Sequence, residues 1–102
     1  MKENQIMVVI KEVDKPPRLE PLFDNTLESF QKAVGGYIET VTIAPDVVLI
    51  CNEEGRIIGL PHNGEFFGVD FCGTVLAVGV KGEEFASLKA HRIPLILRSM
   101  GG

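Results

Sequence analysis

Tryptophan is absent from this 102-residue chain, and cysteine, histidine and tyrosine nearly so, at two, two and one. A metal centre needs three or four Cys, His or carboxylate ligands converging at a recognisable spacing, and His62, His91, Cys51 and Cys72 are scattered, so no metal site and no cofactor are expected. Two cysteines in apolar, β-like surroundings exclude the disulfide framework of a small secreted scaffold and read as reduced core residues. Long apolar runs are also missing. The first, Ile6 to Ile10, is stopped by Lys11 and Glu12, too short for a signal peptide or a membrane span, which predicts a cytoplasmic protein outside the bilayer. No repeat, low-complexity tract or long linker divides the chain, so a single domain over residues 1–102 is expected. Phosphate-loop chemistry is lacking too: Gly35-Gly36 ends a helix instead of opening one, and Lys81 between Gly79 and Gly82 has no adjoining Ser or Thr.

Positive charge is scarce where it would matter for nucleic acid. The formal net charge of −4 is concentrated between Glu20 and Glu84, where eleven acids face only Lys32, Arg56 and Lys81. Phosphate-backbone binding requires clustered cations, so generic nucleic-acid binding is disfavoured. The last segment carries Lys89, Arg92 and Arg98 without an acid, and could meet an acidic partner or the acidic middle of a second copy.

What is present is a patterned chain with 45% apolar residues. Gln5 to Val13 reads as a strand ended by Pro16-Pro17, and Arg18 to Phe23 as an edge strand or an extended arm because of Pro21. A helix starts at Asn25, with Asn25 as N-cap and Glu28 completing a capping box, carries Leu27, Phe30, Ala33 and Val34 on one stripe, and ends at Gly35-Gly36. Tyr37 to Ala44 alternates as a half-buried strand, with Tyr37, Glu39, Val41 and Ile43 on one face. Val47 to Cys51 is apolar on both faces and therefore central in its sheet. Asn52 to Gly55 fits a bulged hairpin turn returning through a strand at Arg56 to Leu60. Pro61 to Val69 reads as a loop, and Asp70 to Val80 as a strand with one small-residue face (Gly73, Ala77, Gly79). A short second helix follows at Glu83 and Glu84, anchored by Phe85 and Leu88, and an extended apolar segment runs from Ile93 to Leu97. The class is α+β: a mixed, mostly antiparallel sheet with one main helix and a short second helix packed on it.

No catalytic constellation stands out. The most informative stretch for function is Leu60 to Phe67, which joins an imidazole and an amide to aromatic surface, a composition of recognition loops. Tyr37, His62, Asn63, Phe66 and Phe67 are the candidate binding residues. The alternative is that Phe66 and Phe67 tuck under the sheet and His62 is a solvated turn residue. A small enzyme would use His62 with Cys72 or with a carboxylate such as Glu65 or Asp70. The apolar Ile93 to Leu97 segment, at a sheet edge, is either packed on its own core or forms the seam of a homo-oligomer through Ile93, Leu95 and Leu97.

An ordered set of short motifs adds context: Asn25-Thr26-Leu27-Glu28, Val34-Gly35-Gly36-Tyr37-Ile38-Glu39, Cys51-Asn52-Glu53-Glu54-Gly55, Gly59-Leu60-Pro61 with Asn63, and Cys72-Gly73-Thr74 running into Val78-Gly79. Together they cover roughly residues 5 to 90, and in them the chain resembles the phage and mobile-element proteins of domain of unknown function 3846. The resemblance implies an origin in bacteria, phages or their mobile elements and supplies no activity or catalytic residue. The expectation is a small non-enzymatic binding protein that engages a host protein or small ligand, with interference in host defence as one role.

Overall fold

The computed structural model describes residues 4–101; residues 1–3 and 102, at the ends of the expected domain, lie outside them. Among the described residues eight strands and two α-helices follow in the order β1 (Gln5–Lys11), β2 (Arg18–Asp24), α1 (Leu27–Val34), β3 (Ile38–Ala44), β4 (Val47–Asn52), β5 (His62–Phe66), β6 (Val69–Cys72), β7 (Val75–Lys81), β8 (Glu84–Ala86) and α2 (Ile93–Ser99), the last preceded by a 3-10 turn at Ala90–Arg92. The main sheet has the strand order β2-β1-β7-β4-β3, with β8 continuing beside β7, and every pairing is antiparallel. β5 and β6 form a separate hairpin. The expected α+β class, with a mostly antiparallel sheet, is the one observed.

Period-two alternation divides the central strands between two cores. Ile6, Val8, Ile10, Val48, Ile50, Leu76 and Val78 face α1 and meet Phe30 and Val34. Val9, Val47, Leu49, Cys51, Val75 and Ala77 face the other way and meet Phe66 and Phe71 of the hairpin together with Leu88, Ile96 and Met100. The sheet is thus a middle layer, with α1 on one side and α2 plus the β5–β6 hairpin on the other. Phe30, 1% exposed, is the centre of an aromatic trio, with its ring 4.9 Å from that of Phe23 and 5.2 Å from that of Phe85.

Several expectations hold. β2 is an edge strand, β4 is buried along its whole length, and α1 ends at Gly35 in the left-handed conformation (φ 78°). Other expectations are corrected. The N-cap is Thr26, not Asn25: Thr26 is extended and its Oγ1 accepts from the Ser29 amide at 3.1 Å, while Asn25 Nδ2 donates to the Phe85 carbonyl. Arg56 to Leu60 is no returning strand, because both sides of β4 are already taken by β3 and β7. Pro61 to Val69 is not a loop, since β5 lies within it, paired to β6 through a tight turn in which Phe67 (φ 54°) and Gly68 (φ 78°) both have positive φ. The strand expected from Asp70 to Val80 is broken at Gly73 (φ 82°) into β6 and β7.

Two segments in the C-terminal part of the chain exchange their predicted structures. Glu84–Ala86, expected to be helical, is β8, turned back on β7 by Gly82 at φ 64°. Ile93–Ser99, expected to be extended, is α2, with Pro94 in its first turn, where a missing amide costs nothing. Ile93 and Leu97 pack against the second core and Leu95 stays 50% exposed, so this segment is not an edge strand. The small-residue face of β7 does receive a helix, but it is α2, whose Ile96 shares a core with Ala77. In the basic final segment Arg92 and Lys89 share one carboxylate of the same chain, Arg92 Nη2 lying 2.7 Å and Lys89 Nζ 3.5 Å from Asp46, which offsets one of the three charges carried by Lys89, Arg92 and Arg98.

Candidate functional site

Asn63 joins the hairpin to the sheet. Its Nδ2 donates to the Lys11 carbonyl at 2.9 Å and the Gly73 carbonyl at 2.8 Å, and its Oδ1 accepts from Lys11 Nζ at 2.9 Å. The amide is fully used inside the protein. Phe66, 5% exposed, stacks on Phe71 with ring centroids 5.9 Å apart and belongs to the core, whereas Phe67 is 37% exposed at the hairpin turn. His62 is exposed, its Nε2 2.5 Å from Asp70 Oδ1, and Arg56 Nη2 lies 3.1 Å from the other oxygen of the same carboxylate. Tyr37 stands just before β3, far more open to solvent than the core residues around it.

The expected binding residues therefore do not converge. The Asn63 amide and the Phe66 ring are engaged inside the protein, and for Phe66 the alternative of a ring tucked under the sheet is the observed one. For the enzyme alternative, His62 is opposite Cys72 in the β5–β6 register and contacts Asp70, yet no hydrogen bond joins it to Cys72 among the described residues. Both thiols are free, Cys51 buried and Cys72 half-buried. Burial, reinforced by the nearby Glu39 charge, pushes the Cys51 thiol up to about 11, the direction of an inert core cysteine.

The turn at residues 53–59 forms a surface that the sequence pattern concealed. Asn52, buried at the end of β4, donates to the Val34 carbonyl at 3.1 Å and accepts from the Glu54 amide at 2.8 Å, tying the end of α1 to the start of the turn. The Glu53 amide donates to the Tyr37 carbonyl, the Ile58 amide to the Glu54 carbonyl and the Leu60 amide to the Gly55 carbonyl. With its backbone coiled by these bonds, the turn throws Ile57 and Ile58 outward, 83% and 56% exposed. β-Branched residues in sequence suggested a strand; the only contrary signal was the Glu53-Glu54 doublet ahead of them.

Beneath this turn lies a cleft of about 350 Å³ between the β3–β4 pair and β6. Its floor is apolar (Val41, Val69, Phe71, Cys51) and its rim carries Glu39, Glu53, Glu54 and Asp70 against the single cation Arg56, with Ile57 at the lip. Arg56 is committed to Asp70, so the remaining rim potential is negative. A larger cleft of about 480 Å³ lies between β2 and α1 and mixes Arg18 and Lys32 with Glu12, Glu20 and Asp24. A third, of about 370 Å³, lies along Lys15, Lys32, Leu60 and Pro61. None of the three is lined by Tyr37, His62 or Asn63. Among the described residues no group of three or more His, Cys, Asp or Glu side chains is placed to hold a metal, and no helix is long and apolar enough to cross a membrane.

No curated protein and no solved structure matches the chain. Residues 4–100 match the family described as domain of unknown function (DUF3846), and with nearly its whole length covered the chain belongs to that family.

Proposed function

We propose that this is a non-enzymatic binding protein whose working surface is the cleft under the 53–59 turn, and that it takes a positively charged, partly apolar segment of another protein. The carrying observation is Ile57, 83% exposed on a turn pinned at both ends, beside a rim with three carboxylates that have no cation in the cleft. Ile57 and Ile58 stand exposed side by side next to this acidic rim, and apolar surface rimmed by charge is the make-up of an interaction site. In this reading the protein originates from a phage or mobile element, works in the cytoplasm, and binds a host factor, interference with host defence being one such role. The free thiols of Cys51 and Cys72 support a reducing compartment.

Fluorescence anisotropy with labelled peptides alternating leucine with lysine, glutamate or serine tests the chemistry. The lysine peptide is expected to bind best and to weaken as salt is raised. Ile57→Ser with Ile58→Ser, and separately Glu53→Gln with Glu54→Gln, should each weaken it by about tenfold or more. Equal binding of the glutamate peptide, or no loss in either variant, sinks the proposal.

The His62–Asp70 contact favours a second reading, a small enzyme in which Asp70 orients the His62 imidazole. Its weakness is that both side chains are about half exposed or more, with nothing to exclude water. Hydrolysis of activated esters that is abolished by His62→Gln and lowered by Asp70→Asn would support it; rates equal to those of the variants would remove it.

A further inference from the structure

The two edges of the main sheet are treated differently by the sequence. β2 carries Pro21, which has no amide to offer, together with Arg18, Glu20 and Asp24, and its pairing with β1 is interrupted by a bulge. These are the devices that keep an edge from recruiting another strand. β3, at the opposite edge, carries no proline and a single charge, Glu39, among mostly β-branched residues, and among the described residues no strand pairs with its outer backbone groups. The register with β4 stays regular from Ile38 to Thr42 and shifts only beyond it.

We infer that β3 is the seam of a symmetric dimer, in which the β3 strand of a second copy pairs antiparallel with it about a two-fold axis at Thr40. The regular stretch from Ile38 to Thr42 has Thr40 at its middle, which fixes the register. Thr40 then faces Thr40 of the second copy, Glu39 faces Val41, and Ile38 faces Thr42. No like charges are opposed, and a threonine–threonine pair is among the favourable cross-strand combinations. The interface is isologous and closes on itself, so it yields a dimer and not a filament. The blunted β2 edge terminates the joined sheet on both sides. Because opposed residues of an antiparallel pair point to the same face, the two clefts, each with Glu39 and Val41 in its wall, open side by side.

Sedimentation velocity across a concentration series reads the mass. The wild-type chain is expected to sediment as a dimer, and hydrogen exchange at residues 38–42 to slow as concentration rises. Thr40 is exposed, so Thr40→Lys and Thr40→Glu leave the fold intact but set like charges against each other on the axis. Each variant alone should be monomeric, and an equimolar mixture of the two should recover the dimer. A wild-type chain that stays monomeric at the highest concentration overturns the inference. A dimer that survives both single substitutions overturns it equally.

Discussion

Replacing Asn63 by leucine keeps the side-chain size and removes all three of its hydrogen bonds. Two are neutral bonds to the Lys11 and Gly73 carbonyls, worth about 1 kcal/mol each, and the third comes from the Lys11 ammonium, worth about 1.5 to 3 kcal/mol as a charged bond. Lys11 is only 9% exposed, so its ammonium keeps just the Glu12 carbonyl, at 2.8 Å, when Asn63 Oδ1 is gone. Water reaching the half-exposed side of Asn63 returns part of the loss, which leaves a destabilisation of about 2 to 4 kcal/mol. With a urea slope of about 2 kcal/mol per molar, the unfolding midpoint falls by roughly 1 to 2 M. Urea titration followed by circular dichroism measures it. A double-mutant cycle with Lys11→Met separates the charged bond, since Lys11→Met should cost at least about 1 kcal/mol less in the Asn63→Leu background. A midpoint within error of wild type, or strict additivity, would refute the reasoning and return Asn63 to the surface as a ligand contact.

Thr26→Ala removes the side-chain acceptor from the first turn of α1 and is expected to lower stability by about 1 kcal/mol in the same titration, whereas Asn25→Ala should leave that cap intact. The Arg92 guanidinium hydrogen-bonded to Asp46 holds its carboxyl below the usual aspartate range. Its stabilising effect is therefore complete above the unfolded-state pKa and is lost as pH falls through the lower folded value, so Asp46→Asn should flatten the acid limb of a stability–pH curve and leave the neutral limb parallel to wild type. Alkylation with iodoacetamide at mildly alkaline pH, mapped by peptide mass spectrometry, should modify half-buried Cys72 well before Cys51, whose thiol is buried and pushed up to about 11. Modification of Cys51 first would contradict the placement of β4 in the sheet interior.

Local chemistry was legible wherever a residue's own conformational limits decide the outcome. The double-faced apolar run of β4, the proline-bearing edge of β2 and the glycine that ends α1 follow from side-chain polarity, a missing amide and a tolerated positive φ, none of which depends on distant partners. The last two elements of the chain show the limit of such reading. Glu84–Ala86 becomes a strand because β7 extends past β1 and leaves backbone groups to be paired there, and Ile93–Ser99 becomes a helix because the face with Ala77 is open to it. A short apolar segment suits either state, and tertiary context selects one.

The candidate site divides in the same way. Polarity alone marked His62, Asn63 and the phenylalanine pair as a group, but the alternation of β5 sends Phe66 into the core, and the register with β6 sets His62 beside Asp70. Composition determined that the chain has apolar surface to bury and an acidic middle; the single core it led one to expect is divided in two because the sheet is covered on both faces. Which carboxylates gather round a cleft, which isoleucines are left in water and which sheet edge stays open were decided by strand order, because the competition for backbone partners is settled only when all the strands are in place.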